Sequence, residues 1–381
     1  MQRRRFIGWL GGGTLGTRLA DDLLGGAARA QDAIDFALPR GEATAGVAPA
    51  LFYDRLPGKR VVCRLCPREC RVADRERGYC GVRENRDGEY LTLVDGRACA
   101  LHVDPIEKKP LFHLLPGTRI LSIATVGCNL HCKNCQNWQI SQADPGDVEA
   151  WDLPPAEVVE LAEARGCPSI AYTYTEPLVF YEYTLETSRL ARERGLRNVL
   201  VTAGYANPAP LRELFAVTDA ANVDLKALDD GFYRDVCGAT LRPVLDALVL
   251  AREMGLWLEM TNLVVPTLND EPSMIRRLAR WVHDHLGAET PLHFSRFSPR
   301  YRLENLPPTP ESTLVAAREE ARDVGLRHVY IGNVPGSDGE TTVCPQDGTV
   351  LVRRVGFTVK ENHLEDGRCP TCGTAVAGVW E

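Results

Sequence analysis

Residues Thr125 to Gln142 read TVGCNLHCKNCQNWQISQ and follow an apolar run, RILSIA, that is typical of a buried strand. The stretch carries three cysteines, Cys128, Cys132 and Cys135, in a C-x3-C-x2-C spacing. Thiolates are soft ligands that favour iron–sulfur clusters or zinc. A [4Fe–4S] cluster has four irons, so three thiolates leave one iron open to another ligand. We therefore expect a metal site with a vacant position directly after a strand.

The composition narrows the class of protein. The chain has 381 residues, 44% of them apolar and 25% charged, as in ordinary globular proteins. The formal net charge of -7 gives no basic footprint, so nucleic acid is not an expected partner. We expect no membrane span, because no uninterrupted apolar run is long enough. Thirteen cysteines, an odd number in closely spaced groups, indicate metal binding rather than a disulfide framework.

The N-terminus has the features of a targeting segment. MQRRRFIGWLGGGTLG resembles a twin-arginine export signal, and Ala28-Arg29-Ala30 offers a small-residue cleavage site. We assign residues 1–30 to this signal, which predicts export to the periplasm; a disordered basic N-terminus on a cytoplasmic protein is the alternative. Residues 31–58 are rich in Ala, Pro and Gly and are predicted to be a linker.

Residues 59–117 form a predicted N-terminal cysteine-rich module. Its cysteines, Cys63, Cys66, Cys70 and Cys80, are spaced C-x2-C-x3-C-x9-C. Four thiolates are enough to close a tetrahedral zinc site, which favours a structural role. A second iron–sulfur cluster is the competing interpretation, and the spacing does not separate the two.

Residues 118–335 alternate short β-branched or apolar runs with longer segments of helical period. This pattern predicts an α/β fold with a parallel sheet, arranged as a partial (β/α) TIM-like barrel. The predicted strands are RILSIAT, SIAYTY, NVLVT, AANVDL, LWLEMTNLV, PLHFSRF and HVYIGN.

Polar residues at the ends of these strands are expected to converge on one rim, since barrel chemistry sits at the C-terminal ends of the strands. The rim residues that we single out are Glu176, Thr202, Asp224, Lys226, Thr261, Asn262, His293, Arg296 and Asn333.

Several of these residues have two interpretations. Cys237, His293 and Arg296 are the candidates for contact with the reacting groups. Cys237 follows strand four and is either a redox or radical relay or a buried thiol. His293 either contacts substrate or is a core histidine with its hydrogen bonds satisfied. Lys226 either faces the site or pairs with a neighbouring carboxylate.

Residues 336–381 resemble a small zinc ribbon with two cysteine knuckles. The second knuckle is Cys369-Pro-Thr-Cys372, while the first, Cys344-Pro-Gln-Asp347, has aspartate where a cysteine is expected. Carboxylate oxygen can ligate zinc, so either a Cys3Asp metal site forms or the ribbon holds by packing alone.

Six motifs together resemble the AmmeMemoRadiSam-system family of radical S-adenosylmethionine (SAM) enzymes, which is related to the pyruvate formate-lyase activating enzymes. The similarity runs from about Cys63 to the C-terminus and implies the radical SAM barrel. The motifs are DPIEKKPLFHLLPG, GCNLHCKNCQNWQISQ, YTYTEPLVFYEY, VDLKALDDGFYRDVCG, LHFSRFSP and GNVPG.

The resemblance implies cofactors and roles. The cysteines of the 125–142 loop would hold a [4Fe–4S] cluster whose open iron is chelated by SAM, and reduction would yield a 5′-deoxyadenosyl radical that abstracts hydrogen. Glu176 would contact the methionine amino group, Thr202 would lie at the SAM-binding strand end, and Asp224 would help hold a monovalent cation.

Three functions follow as alternatives. The first is a radical SAM enzyme acting on an unknown substrate, such as a protein or peptide, with a low-potential electron donor and a Memo-like or AMMECR-like protein partner. The second is a glycyl-radical-enzyme activase. The third is an iron–sulfur electron carrier or sensor that never cleaves SAM.

Overall fold

The computed structural model describes residues 46–381, in which strands and helices are numbered in chain order. The predicted export signal, residues 1–30, lies outside the described residues and stays a prediction, as does the localisation. No helix within residues 46–381 is long and apolar enough to cross a membrane.

The N-terminal module is built from short antiparallel strands in two three-stranded sheets, with strand orders β1-β6-β5 and β2-β3-β4. Asp87 and Gly88 both have positive φ, which suits the tight turn that joins β5 to β6. The six strands of these sheets are β1 Ala48–Pro49, β2 Tyr53–Leu56, β3 Arg60–Cys63, β4 Arg71–Val72, β5 Arg83–Arg86 and β6 Glu89–Thr92. The two-residue strand β7, Arg97–Ala98, follows them and belongs to neither sheet.

The prediction of a linker that extends to residue 58 is wrong at its C-terminal end. Ala48 pairs with Thr92, and Tyr53 pairs with Cys63, so β1 and β2 belong to the cysteine-rich module. Backbone pairing to distant strands, which composition does not reveal, orders this Pro- and Gly-containing segment.

The central sheet has eight strands, and seven of them are parallel. Their order, β16-β15-β14-β13-β12-β11-β9-β8, follows the chain without a reversal from β9 to β16. β8 pairs antiparallel with β9 at the edge, and the two-residue β10 (Trp151–Asp152) pairs with β7 outside this sheet. The other strands are β8 Ala100–Pro105, β9 Arg119–Ala124, β11 Ser169–Tyr172, β12 Arg197–Thr202, β13 Ala220–Asp224, β14 Trp257–Val264, β15 Leu292–Arg296 and β16 Val329–Gly332.

All seven predicted parallel strands are confirmed, and the sheet fits a partial barrel. β8 was not predicted as part of it, because its sequence, ALHVDP, breaks the β/α alternation.

Six longer helices lie between consecutive strands of the parallel sheet. α7 shows why: Ile275, Leu278, Ala279, Val282 and Leu286 are buried at helical spacing, and Pro272 starts the helix. The helices are α1 Trp138–Ser141, α2 Pro155–Ala164, α3 Tyr181–Glu193, α4 Pro208–Phe215, α5 Asp230–Phe232, α6 Arg242–Glu253, α7 Pro272–Leu286 and α8 Glu311–Val324.

The C-terminal module is a three-stranded antiparallel sheet of β17 (Thr342–Val343), β18 (Val350–Val355) and β19 (Thr358–Asn362). It packs on the segment that precedes β9: Arg354 Nη2 donates to Phe112 O at 2.6 Å, and the amide of Val379 donates to His113 O at 2.7 Å. This segment covers the N-terminal ends of the parallel strands, which leaves the opposite rim for the site.

Candidate active site

The three-cysteine loop begins where β9 ends, at the C-terminal rim of the sheet. Cys128 Sγ accepts the amide of Leu130 at 3.4 Å, and Cys135 Sγ lies 3.2 Å from Ser141 Oγ. All three cysteines are free of disulfides. Burial, followed by the charge of Glu176, raises the pKa of Cys128 well above its usual value. A metal cation would relieve this cost, because it stabilises thiolates directly.

Glu176 is brought to this loop from the end of β11. Its carboxylate is buried and accepts hydrogen bonds from Thr202 Oγ1 at 2.6 Å and from the amide of Ala203 at 2.9 Å. Burial raises the pKa of Glu176 despite these donors. The structure thus places Glu176, Thr202 and Cys128 together, as predicted from strand order.

Tyr174 and Thr175, the two residues before Glu176, are held by specific contacts. Tyr174 has a φ of 64°, which costs a non-glycine residue about 1–2 kcal/mol. Asn137 Nδ2 donates to Tyr174 O at 2.8 Å, and Thr175 Oγ1 donates to Thr125 O at 2.9 Å. The strained turn is therefore tied to the cysteine loop on both sides.

Tyr174 also reaches a buried ion pair that strand-end reasoning missed. Its hydroxyl donates to Asp104, which also pairs with Lys109 Nζ at 2.6 Å and with Lys108 Nζ at 3.0 Å. The Lys109 ammonium lies 4.6 Å from the Tyr174 ring centroid. Burial lowers the pKa of Lys109 to about 8 even though Asp104 opposes this. The motif DPIEKKP held these residues, but its sequence does not indicate that they face Tyr174.

Asp224 and Lys226 form an ion pair at the end of β13, with Lys226 Nζ 2.9 Å from Asp224 Oδ2. Burial alone would lower the pKa of Lys226, but Asp224 and the neighbouring Cys132 and Cys237 raise it well above its usual value. Pairing with a neighbouring carboxylate, one of the two interpretations of Lys226, is what the structure has. The Lys226 ammonium is thus bound to the Asp224 carboxylate, which by the resemblance would help hold a monovalent cation.

Cys237 lies against the cysteine loop. Cys237 and the Lys226 ammonium lower the pKa of Cys132, although burial opposes the shift. The backbone is bound as well, because the amide of His131 donates to Cys237 O at 3.0 Å. Cys237 is fully buried, so it is a buried thiol, and it is also in contact with a predicted cluster ligand.

His293 does not face the rim with these residues. It is 2% exposed, and its Nε2 lies 2.7 Å from Glu259 Oε2, between Phe112 and Tyr330. Burial would raise the pKa of Glu259, but the hydrogen bond with His293 lowers it to about 2. The prediction that His293 contacts substrate is wrong, because its ring is bound to a buried carboxylate of the core.

Arg296 and Asn262 lie further along the same rim. Arg296 Nε donates to Thr309 O at 2.9 Å, and Arg296 stays a candidate for contact with the reacting groups. Asn262 Nδ2 donates to Leu225 O at 2.8 Å and to Lys226 O at 3.1 Å. Asn262 therefore positions the Asp224–Lys226 turn.

The two outlying cysteine groups each assemble in space. Cys63, Cys66, Cys70 and Cys80 line one cavity in the N-terminal module. In the C-terminal module, the ligand atoms of Cys344, Asp347, Cys369 and Cys372 all lie within 4.8 Å of one another. Here Cys344 Sγ is 3.6 Å from Cys372 Sγ, and Cys369 Sγ is 3.7 Å from Asp347 Oδ2. Asp347 thus stands in the place of a fourth cysteine.

Comparison with known proteins places this site in context. The family profile described as the radical SAM superfamily matches residues 122–279. The uncharacterized protein MJ0808 of Methanocaldococcus jannaschii is 48% identical over 329 residues, which cover 86% of this chain and 98% of that protein. A pyruvate formate-lyase-activating enzyme of Clostridium pasteurianum is 25% identical over 46% of this chain and 73% of its own length.

Among solved structures, Streptococcus suis SuiB bound to S-adenosylmethionine aligns with 12% identity and a TM-score of 0.46. The alignment covers 64% of this chain and 56% of that one.

Proposed function

This chain belongs to the radical SAM superfamily, in one family with the uncharacterized protein MJ0808, and is a radical SAM enzyme; we propose that it cleaves SAM to abstract hydrogen from a protein or peptide. The superfamily implies a [4Fe–4S] cluster and SAM. The cysteine loop fits the cluster, since it offers three free thiols beside a buried carboxylate. Membership of an AmmeMemoRadiSam system belongs to the proposal.

The observation that carries the proposal is the position of Glu176 beside Cys128. A buried carboxylate next to a cluster ligand is a ready partner for an ammonium group, because pairing offsets its desolvation. Thr202 and the Ala203 amide hold the carboxylate from one side and fix its orientation. Glu176 would therefore bind the amino group of SAM.

The cluster and SAM would supply the radical chemistry, and the residues of the protein would hold and tune them. When held by Cys128, Cys132 and Cys135, a [4Fe–4S] cluster would supply the one-electron reduction of SAM on which hydrogen abstraction from a substrate depends. Lys226 holds a positive charge beside Cys132, and Cys237 lies next to the same residue. Hydrogen bonds and charges at cluster sulfurs tune the reduction potential, so these two residues would set how readily the cluster accepts an electron.

A protein or peptide substrate is supported by the surface beside the loop. Trp138 is 37% exposed and stacks on Tyr301, with ring centroids 5.1 Å apart. A partly exposed aromatic pair at the cysteine loop suits side-chain or backbone recognition. The activating-enzyme relative, which by its name acts on another enzyme, is consistent with this class. Memo-like or AMMECR-like proteins and a low-potential electron donor are the partners that we propose.

The test is anaerobic reconstitution with iron, sulfide, SAM and dithionite, scored for 5′-deoxyadenosine. We expect product from the wild type and none from Cys132→Ala, which should also lose the cluster. Cys167→Ala is the matched control, because Cys167 is a buried thiol near the start of β11, at the opposite end of the sheet.

One outcome would contradict the proposal, and a second would narrow its substrate to a partner enzyme. A fully loaded wild-type protein that binds no SAM and yields no product would favour the electron carrier or sensor. A glycyl radical formed on a partner enzyme, detected by electron paramagnetic resonance (EPR), would favour the activase.

We further propose that the C-terminal module binds one zinc ion through Cys344, Asp347, Cys369 and Cys372. Tetrahedral zinc with Zn–S bonds of about 2.3 Å places sulfurs roughly 3.8 Å apart. The separation of 3.6 Å between Cys344 and Cys372 is close to this value. With four protein ligands the ion would have no open position, so its role would be structural.

A further inference from the structure

The four cysteines of the N-terminal module are brought together by its fold. None is in a disulfide, and all line one cavity. The amide of Tyr79 donates to Cys70 Sγ at 3.4 Å. Such a donor stabilises the negative charge of a metal-bound thiolate.

Two guanidinium groups line the same cavity. Arg83 is 1% exposed and pairs with Glu182, and Arg68 lies 3.4 Å over the ring of Tyr79. A zinc ion and an oxidised [4Fe–4S] core carry the same positive charge. Four thiolates would therefore give either site the same net negative charge. The positive lining therefore supports an anionic metal site but does not identify the metal.

The spacing of the thiols favours a cluster over a single zinc ion. Within residues 46–381, the C-terminal group is the only one in which three or more ligand atoms of Cys, His, Asp or Glu all lie within 4.8 Å of one another. No three of the N-terminal thiols meet this limit, and the thiols of the 125–142 loop do not meet it either. A zinc ion needs sulfurs about 3.8 Å apart. A [4Fe–4S] cluster needs a wider cage, because each thiolate binds a different iron.

We infer that Cys63, Cys66, Cys70 and Cys80 bind a second [4Fe–4S] cluster rather than zinc. Each of its irons carries one cysteine, so it has no iron open to SAM or substrate, and its chemistry is limited to gaining and losing electrons. The inference rests on the proposed function only for the assignment of the 125–142 loop to the first cluster.

The second cluster lies directly against the loop of the first. A Cβ atom added to Gly127 would be 2.8 Å from Cys80 O and 2.5 Å from a methyl of Val82. Arg68 Nε donates to Asn129 O at 2.7 Å, and Asn129 lines the N-terminal cavity. Gly127 and Asn129 are the two neighbours of Cys128, and both contact the N-terminal module. Cys128, a predicted ligand of the first cluster, is therefore one residue away from the second site in either direction along the chain.

The deciding experiment removes the first cluster and leaves the second. The full-length triple variant Cys128→Ala, Cys132→Ala, Cys135→Ala is purified anaerobically, reconstituted, and analysed for iron, sulfide and zinc. We expect about four irons and one zinc per chain, against about eight irons and one zinc in the wild type. No iron in the triple variant overturns the inference, whether or not about two zinc ions are present.

A second measurement uses the wild-type protein, so it does not depend on whether the triple variant folds. The EPR spectrum of the fully reduced wild type should show splitting or faster relaxation, because two adjacent paramagnetic clusters interact. A wild-type spectrum of a single, unsplit cluster overturns the inference. If the triple variant keeps four irons while the wild type makes no 5′-deoxyadenosine, the second cluster stands and the proposed function fails.

Discussion

At Glu176 a single carboxylate joins three parts of the sequence that are far apart. It accepts hydrogen bonds from Thr202 and Ala203 at the end of β12, and its charge acts on Cys128 at the end of β9. Thr202 Oγ1 donates to Oε1 and the Ala203 amide donates to Oε2, so both oxygens of the carboxylate are held. The residue is thus oriented before SAM binds.

Glu176→Gln should weaken SAM binding. The amide nitrogen of glutamine would meet either the Thr202 hydroxyl or the Ala203 N–H, and the negative charge would be lost. Hydrogen bonds to charged groups contribute about 1.5–3 kcal/mol, so we expect the Kd to rise roughly tenfold to a hundredfold. Equilibrium dialysis with reconstituted protein measures this. Thr202→Ser, which keeps the hydroxyl, is the control, and an unchanged Kd in Glu176→Gln would rule out its contact with SAM.

The position of His293 in its strand does not predict which group its side chain contacts. From strand position alone it was a candidate for substrate contact, but its ring is bound to Glu259. Both side chains belong to strands of a buried sheet, where an unpaired charge is costly, so each satisfies the other. Which of two polar residues faces the rim depends on the register of neighbouring strands.

At the scale of elements, the loop after β9 connects two modules through Gly127. This residue has a φ of 95° and leaves no room for a Cβ atom, because Cys80 O and Val82 lie in the way. The glycine is therefore required both by backbone conformation and by the close approach of the N-terminal module.

Gly127→Ala should disrupt metal binding by both cysteine groups. We expect iron loading to fall well below that of the wild type, because relief of the clash must move either the loop or the segment from Cys80 to Val82. Gly146→Ala is the control: its φ of 101° imposes a similar backbone strain, but nothing lies within 4 Å of the added Cβ. Equal iron content in the two variants would show that the contact between the modules is not needed for assembly.

At the scale of the whole molecule, the C-terminal module is held to the barrel by a buried charge. Arg354 lies 3.6 Å from Glu107, both are fully buried, and Arg354 donates to Phe112 O and Thr342 Oγ1. The segment that contains Phe112 also supplies amides to Glu259 inside the barrel. The end of the chain is therefore linked to the central sheet through a continuous set of hydrogen bonds.

Arg354→Met should destabilise the protein strongly. Removing one partner of a buried ion pair leaves the other charge uncompensated and costs about 3–5 kcal/mol. The midpoint of urea unfolding, followed by circular dichroism under anaerobic conditions, reports the change. Arg353→Met removes an exposed charge from the adjacent position, where it pairs with Glu361, and should have little effect. Similar midpoints for both variants would contradict the role of the buried pair.

The sequence by itself determined the seven parallel strands, the six helices between them and the three cysteine groups, because helical and strand periods and ligand spacing are local properties of the chain. Strand order then placed Glu176, Thr202 and Asp224 at the rim with the cysteine loop. Only the tertiary structure decided that β1 and β2 belong to the N-terminal module, that His293 pairs with Glu259, and that Tyr174 reaches Asp104. It also showed that the ligand atoms around Asp347 lie within 4.8 Å of one another, whereas no three of the thiols of Cys63, Cys66, Cys70 and Cys80 do. These features depend on how segments distant in sequence pack, and distances between side chains on different elements are not encoded in residue spacing.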